Sequence, residues 1–265
     1  MKIKKALLLL MLVIAAAALA FVIESRTGLK SEVILGGADG AFVNSDNLKK
    51  PLDDYDGRIE AEDKYKDLDF PNIDIEDWNY ILINSSHVIK DNTPEVSKVG
   101  DLGVTFDKRA INQLVGLIQA ARRAGFEPYL AKGYVSYTAA IQQINEEATK
   151  LTAGGRLSFE EAVKIATKNS EVPGTSDHQT ALGVDITDKQ YDEYDYSKMN
   201  AKFFEWLDKH CAEYGFIKRY PSDKSGITGV DEPYHYRYVG AVAAKFIMEN
   251  GMCFEEFVNH YDYQK

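Results

Sequence analysis

Thr175-Ser-Asp-His-Gln-Thr-Ala-Leu-Gly-Val-Asp185 and, further along, Asp231-Glu-Pro-Tyr-His-Tyr-Arg-Tyr238 decide how this chain is read. The first stretch holds His178 and Asp185, the second Glu232 and His235. Two imidazoles and a carboxylate can hold a zinc ion and leave its fourth position open for water. A second carboxylate beside that water can move its proton, which completes the parts for metal-assisted hydrolysis. Donors of this kind with no thiolate suit an open, catalytic zinc site.

The backbone around these residues limits how they can meet. Pro233 pushes Glu232 out of the helical region, and Tyr234 to Tyr238 reads as extended. Glu232 and His235 must therefore converge through a bend or bulge at the start of a strand, not along one helix face. Val184-Asp-Ile186 reads as a strand whose alternation sends Val184 and Ile186 to one face and Asp185 to the other. The small residues Ala181 and Gly183 allow a tight return of the chain between His178 and Asp185.

Around this centre the periodicity predicts short strands interleaved with helices. An apolar stripe of Ile111, Leu114, Val115, Ile118 and Ala121 predicts a helix from Asp107 to Ala124, stopped by Gly125. Further helices are expected at Tyr137–Leu151, after the capping box Ser158-Phe-Glu-Glu161, from a Ser197 cap to Tyr214, and at Ala241–Glu249. Strands are expected at Tyr80–Asn84, Phe126–Ala131, Phe216–Tyr220 and Tyr236–Val239. With no regular βαβ beat, the fold class is α+β.

The chain has 265 residues and a net charge of -10, with no long basic run. That excludes nucleic acid as the main partner. Lys2, Lys4 and Lys5 precede an unbroken apolar run from Ala6 to Ile23. A membrane span needs roughly 17–25 apolar residues, and the leading positive flank directs the remainder of the chain out of the cytoplasm. Residues 1–26 are therefore expected to be a signal-anchor in the cell membrane, with cleavage near Ala20, giving a secreted protein, as the alternative. Residues 27–75 read as a spacer and residues 76–265 as the catalytic domain. Cys211 and Cys253 are either two buried thiols or a disulfide closing a loop of about forty residues, worth ~3–4 kcal/mol.

The residues surrounding these four carry a resemblance. Ser176-x-His178-x4-Gly183-x-Asp185, with Glu232-Pro-Tyr-His235-Tyr-Arg-Tyr238 downstream, resembles the D-alanyl-D-alanine carboxypeptidases of the VanY type, bacterial zinc peptidases related to the D,D-dipeptidases and to the hedgehog zinc site. Gly215-Phe-Ile-Lys-Arg-Tyr-Pro221 and Tyr238-Val-Gly240 extend it. The resemblance implies a small antiparallel sheet flanked by helices. It also implies Zn²⁺ on His178, Asp185 and His235, Glu232 as general base, and peptidoglycan stem peptides as substrate. Ser176 would lie near the substrate carboxylate, and Tyr134 and Ser136 are further candidate substrate contacts.

One segment departs from the family. Where the family has Ser-x-Tyr-Arg-Ser, this chain has Lys132-Gly-Tyr134-Val135-Ser136, with Ala140 in place of a later glutamine. Val135 replaces an arginine thought to stabilise the developing oxyanion, and a lost donor of that kind typically lowers the rate by ~10²–10³. Lys132 and Gln142 are the side chains that could reach in. The complete ligand and base set favours an active carboxypeptidase. Val135 motivates the alternative of a weakened zinc-containing binding or regulatory module, and the altered segment that of a peptidase with L,D- or endopeptidase preference. Arg237 is expected to serve the strand and not the substrate, while His87, His210 and His260 lie outside the pattern as surface or cap residues.

Overall fold

Alternation along Gly183–Thr187 buries Val184 and Ile186 in apolar surroundings and turns Asp185 the other way, as expected of a central strand. The computed structural model describes residues 63–169 and 172–262. In chain order the elements are β1 (Val96–Lys98), β2 (Thr105–Asp107), α1 (Ile111–Arg123), β3 (Tyr129–Lys132), α2 (Tyr137–Thr152) and α3 (Phe159–Asn169). Next come β4 (Gly183–Thr187), α4 (Ala201–His210), β5 (Phe216–Tyr220), the single turn α5 (Ser225–Thr228), β6 (Glu232–Tyr238), α6 (Ala241–Glu249) and α7 (Phe254–Asp262). Strands β1 and β2 form a small hairpin. The main sheet runs β3-β4-β6-β5, antiparallel throughout.

Each face of this sheet carries its own apolar cluster. On one, Leu130, Val184, Ile186 and Tyr236 pack against Leu114, Leu117 and Ile118 of α1 and Phe203, Phe204 and Leu207 of α4. On the other, Ile217 and Val239 meet Ala243, Ala244 and Ile247 of α6 and Phe254 and Phe257 of α7. Fully burying one such Leu, Ile or Phe is worth about 1.5–3 kcal/mol, so the sheet is held from both sides.

Much of the expected local structure is present. Helix α2 begins at Tyr137, β5 and α6 have the expected bounds, and the capping box closes. In it the Glu161 amide donates to Ser158 Oγ at 3.3 Å and the Ser158 amide donates to Glu161 Oε2 at 2.9 Å. Other expectations are corrected. Tyr80–Asn84 is not a strand: Tyr80 ends a 3-10 turn, and Arg237 donates to the Ile81 carbonyl and to that of the preceding Asn79. Helix α1 starts at Ile111 and not Asp107, which ends β2 and grips Arg109 at 2.6 Å. Asn200, not Ser197, caps α4, and the helix gives way at Cys211 to a tighter turn ending at Gly215. Gly215 takes φ 81°, and a Cβ there would meet Tyr238 Cε2 at 2.7 Å. Strand β3 starts at Tyr129, β6 starts as early as Glu232, and α7 is an unforeseen final helix whose first turn is anchored by Glu256 accepting from the Cys253 amide at 2.8 Å.

The packing also reaches into the expected spacer. Tyr65, Phe70, Ile73 and Ile75 join the second cluster, and Phe70 stacks on His260 with ring centroids 3.5 Å apart. The expected membrane segment, residues 1–26, lies outside the described residues. Among the described residues no helix is long and apolar enough to cross a membrane.

The disulfide is not formed. Cys211 and Cys253 are free and buried. Cys211 belongs to the first cluster, while Cys253 stands between Met252 and Phe254 of the second. Burial pushes the Cys211 thiol up to about 12 and raises that of Cys253 as well. A thiolate-directed alkylating reagent at pH 8 should therefore label neither cysteine in the native protein. Both should be labelled after unfolding in the absence of reductant, as read by mass spectrometry. An unfolded chain that takes up label only once reductant is added would show a bond instead.

Candidate active site

The site starts from a register. Asp185 on β4 and His235 on β6 are cross-strand partners, which puts their side chains on one face a few ångströms apart. His235 Nδ1 lies 2.8 Å from Asp185 Oδ1. His178 arrives from the turn that precedes β4. There Ser176 accepts from the His178 amide at 3.2 Å, and a short 3-10 helix covers Asp177–Thr180. Ala181 then takes the left-handed conformation, φ 59°, and the chain turns back into β4. Outside glycine that conformation costs about 1–2 kcal/mol, and its occurrence at a working turn is the usual pattern. The turn is fastened from three sides: the Val135 amide donates to the His178 carbonyl, that of Asp107 to the Ala181 carbonyl, and that of Tyr238 to the Leu182 carbonyl.

Held this way, His178 Nε2 lies 3.4 Å from Asp185 Oδ1, and the two imidazole rings meet edge to face at 4.7 Å. One donor atom from each of His178, Asp185 and His235 lies within 4.8 Å of the others, and all three residues are buried. Ligands of a tetrahedral zinc with bonds of about 2.0–2.2 Å stand roughly 3.4 Å from one another, so the spacing fits. Burial alone would raise the Asp185 carboxyl, but the two histidines outweigh it and hold it well below the usual carboxylate range. The carboxylate is therefore ionised, as a ligand must be.

Sequence reasoning missed Asp177. Its carboxylate is fully buried, accepts from Arg219 Nε at 2.7 Å and from Arg237 Nη1, and stands 3.9 Å from His235 Nε2. A carboxylate behind the far ring nitrogen turns the other nitrogen toward a metal. Burial opposes its ionisation, yet the two guanidiniums keep it below its ordinary value. Arg237 is thus structural, as expected. The signal for Asp177 was present in the alternation that puts Arg237 on the face of His235, since a buried guanidinium demands a carboxylate.

Glu232 opens β6 and pairs with Tyr220. The expected bulge is there: β5 advances from Lys218 to Tyr220 while β6 runs back from Tyr236 to Glu232. The Tyr220 phenol is pushed well up by burial, with Asp177 and Glu232 adding to it, and its ring lies 5.1 Å from that of His235. Tyr194, also missed, stacks on Tyr234 at 4.9 Å; burial and the nearby Asp185 raise its phenol. The expected substrate contacts are more tied down than foreseen. Ser136 caps α2, its hydroxyl oxygen accepting from the Ala139 amide at 3.1 Å, and Tyr134 is half-buried with its amide donating to the Thr105 carbonyl. Gln142 is turned away, bonded to Glu146 at 3.0 Å.

Two imidazoles and a carboxylate on one face of a small antiparallel sheet, with a further carboxylate opening the same strand, define a metal-dependent hydrolase centre. The family model for VanY, the D-alanyl-D-alanine carboxypeptidase, matches residues 103–241. A D-alanyl-D-alanine carboxypeptidase of Enterococcus faecalis is 36% identical over 187 residues, covering 70% of this chain and 68% of the relative. The vancomycin-resistance D,D-pentapeptidase VanY of a VanB-type cassette, solved as a mutant in complex with Zn(II), superposes with TM-score 0.56 at 35% identity, over 69% of this chain and 100% of that one. VanYB in complex with D-alanine-D-alanine gives TM-score 0.56 at 36% identity, over 69% and 98%. The chain belongs to the VanY family of D-alanyl-D-alanine carboxypeptidases.

Gly183 has a specific part in this geometry. A Cβ there would stand 2.8 Å from His235 Nε2 and 2.9 Å from Asp177 Cβ. Gly183→Ala should push the His235 ring off its position and lower zinc affinity by roughly 10–100-fold, the range for losing a ligand's support. Competition against a chromophoric chelator would measure it, with circular dichroism as the check on folding. An alanine variant that binds zinc like the parent would show that the close approach does not position the ring.

Proposed function

We propose that this protein is a zinc-dependent D-alanyl-D-alanine carboxypeptidase that hydrolyses the terminal D-Ala from peptidoglycan stem peptides. The observation that carries this reading is the Asp185–His235 cross-strand pair beneath the His178 turn, in a chain of the VanY family. Zinc held by His178, Asp185 and His235 would supply an activated water and polarise the scissile carbonyl.

The chain's own residues do the rest. Glu232 takes the proton of the attacking water and passes it to the nitrogen of the departing D-Ala. Water adds to the carbonyl carbon, the C–N bond breaks with its electron pair going to nitrogen, and the products are the shortened peptide carboxylate and the free amino acid. Asp177 keeps His235 oriented from behind. Ser176, Tyr134 and Ser136 are assigned to contact the stem peptide. The complete ligand and base set favours this reading over a zinc-containing binding module.

The test uses the full-length chain, a pentapeptide stem ending in D-Ala-D-Ala, and chromatographic detection of D-Ala. Glu232→Gln should lower kcat by about 10²–10⁴ while metal analysis still finds one zinc per chain. Undiminished release by that variant would take the base role from Glu232. No release by the zinc-loaded parent would reject the carboxypeptidase itself.

We further propose that residues 1–26 anchor the chain in the cell membrane, with the catalytic domain on the outer side. The apolar run Ala6–Ile23 behind Lys2, Lys4 and Lys5 supports this. The protein should sediment with membranes, resist carbonate extraction, and be shaved from intact protoplasts by external protease. Recovery in the soluble cytoplasmic fraction would contradict the placement.

A further inference from the structure

Arg219 lies between two carboxylates and treats them differently. Its Nη1 and Nη2 donate to Glu255 Oε2 and Oε1 at 2.7 and 2.6 Å, a forked pair, while Asp177 receives only Nε, on Oδ2 at 2.7 Å. That same Oδ2 stands 3.9 Å from His235 Nε2. Asp177 Oδ1 is taken by Arg237 Nη1. The carboxylate behind the metal site is thus shared three ways, and the division depends on where the fork of Arg219 points.

A guanidinium binds a carboxylate best through two parallel N–H bonds. Arg219 and Asp177 are wholly buried and Glu255 nearly so, and water cannot satisfy a buried donor that loses its acceptor. Without the Glu255 carboxylate, the fork of Arg219 would turn to the cluster's other carboxylate, Asp177, and draw Oδ2 away from His235. Glu255 reaches its place from the first turn of α7. The same turn sets the Phe254 ring 5.5 Å from the Arg219 guanidinium and 5.1 Å from that of Arg237. Asn84 Nδ2, ahead of β1, donates to Glu255 Oε1 at 3.3 Å. The neighbouring Glu256 is engaged elsewhere, with Lys224 and the Cys253 amide, both at 2.8 Å.

We propose that Glu255 is a positioning residue of the metal site: it holds the fork of Arg219 off Asp177 and so keeps Asp177 Oδ2 on His235. This rests on the zinc reading of the site and not on which bond is cleaved. A helix with no residue at the metal then governs how well the metal is held.

The experiment uses the full-length chain with zinc and Co(II) as probes. Zinc affinity is measured by competition with a chromophoric chelator, and the visible spectrum of the Co(II) form reports ligand geometry. The variants are Glu255→Gln, Glu255→Asp, Glu256→Gln and the double variant Arg219→Gln with Glu255→Gln, each checked by circular dichroism and thermal melting. Glu255→Gln should weaken zinc binding about tenfold, the lower end for a group behind a metal ligand, and shift the Co(II) bands. Glu255→Asp keeps the charge but draws it back by one methylene, and should lie between Glu255→Gln and the parent. Glu256→Gln should melt earlier, yet match the parent in zinc affinity and Co(II) bands. The double variant has no fork to restrain while Asp177 keeps Arg237, so it should recover most of the affinity that Glu255→Gln loses.

Parental zinc affinity and Co(II) bands in Glu255→Gln would overturn the proposal. Should that variant not fold, the same result in Glu255→Asp would overturn it. Equal losses in Glu255→Gln and Glu256→Gln would do so too, because a loosened α7 explains both. So would a double variant as weak as Glu255→Gln, which takes the effect away from Arg219. A parent that binds neither metal would reject the zinc reading and the proposal with it, whereas D-Ala release, which tests the carboxypeptidase reading, plays no part.

Discussion

The site stands on a carboxylate it does not use in the reaction. Asp177 has no exposure and accepts from both Arg219 and Arg237, and Arg219 in turn holds Glu255 through two bonds of 2.7 and 2.6 Å. Two guanidiniums and two carboxylates balance one another in the interior. The cluster joins the His178 turn, β5, β6 and α7, and through Arg237 it holds the carbonyls of Asn79 and Ile81. Removing water from such charges is expensive, and packed apolar residues would often serve stability as well. What apolar residues would not supply is direction. Each guanidinium has a fork of fixed geometry, so the cluster sets how the turn carrying His178 sits over the strand carrying His235. The same carboxylate faces His235 Nε2, so one group both seats the turn and orients the ring.

On that footing the sheet delivers chemistry through its irregularities. Regular alternation places Asp185 and His235 side by side, and that alone makes two-thirds of a metal site. Two breaks in the pairing lie to either side of that pair. In β6 the added residues lie between Glu232 and Tyr236, and in β3 the added residue is Ala131. Bulges bend a strand and change which face its next residue serves. Here the two flank the same pair, one from the β3 side and one from the β5 side of the four-stranded sheet.

Several of these features were legible in the sequence. The cluster of His178, Asp185 and His235 could be read because the chemistry admits few residue types and the surrounding spacing is rich. The β6 bulge came from Pro233 and the extended reading after it. Helices with a clear apolar stripe or a capping box, such as α1 and α3, were read with boundary errors only. The failures share a cause. Tyr80–Asn84 looked like a strand because it is apolar, but Arg237, far away in sequence, claims the carbonyls of Asn79 and Ile81. Asp177 drew no reading because its partners lie on β5 and β6. Phe70 looked like spacer because its stacking partner His260 is at the other end of the chain. In each case a long-range side-chain contact overrode a local pattern. The β3 bulge left no local trace, since Ala131 is as ordinary in a regular strand as in a bulge.

The two arginines on β5 and β6 place the site's supporting positive charge in the interior. Arginine suits the buried positions because its charge is spread over a planar group with several donors, which find acceptors here on two carboxylates and three carbonyls. The Val135 amide donates to the His178 carbonyl, so the segment that departs from the family at this position still holds the ligand turn through its backbone. The buried Asp177 cluster seats the same turn through its two guanidiniums, so the turn's place does not depend on which side chain stands at Val135.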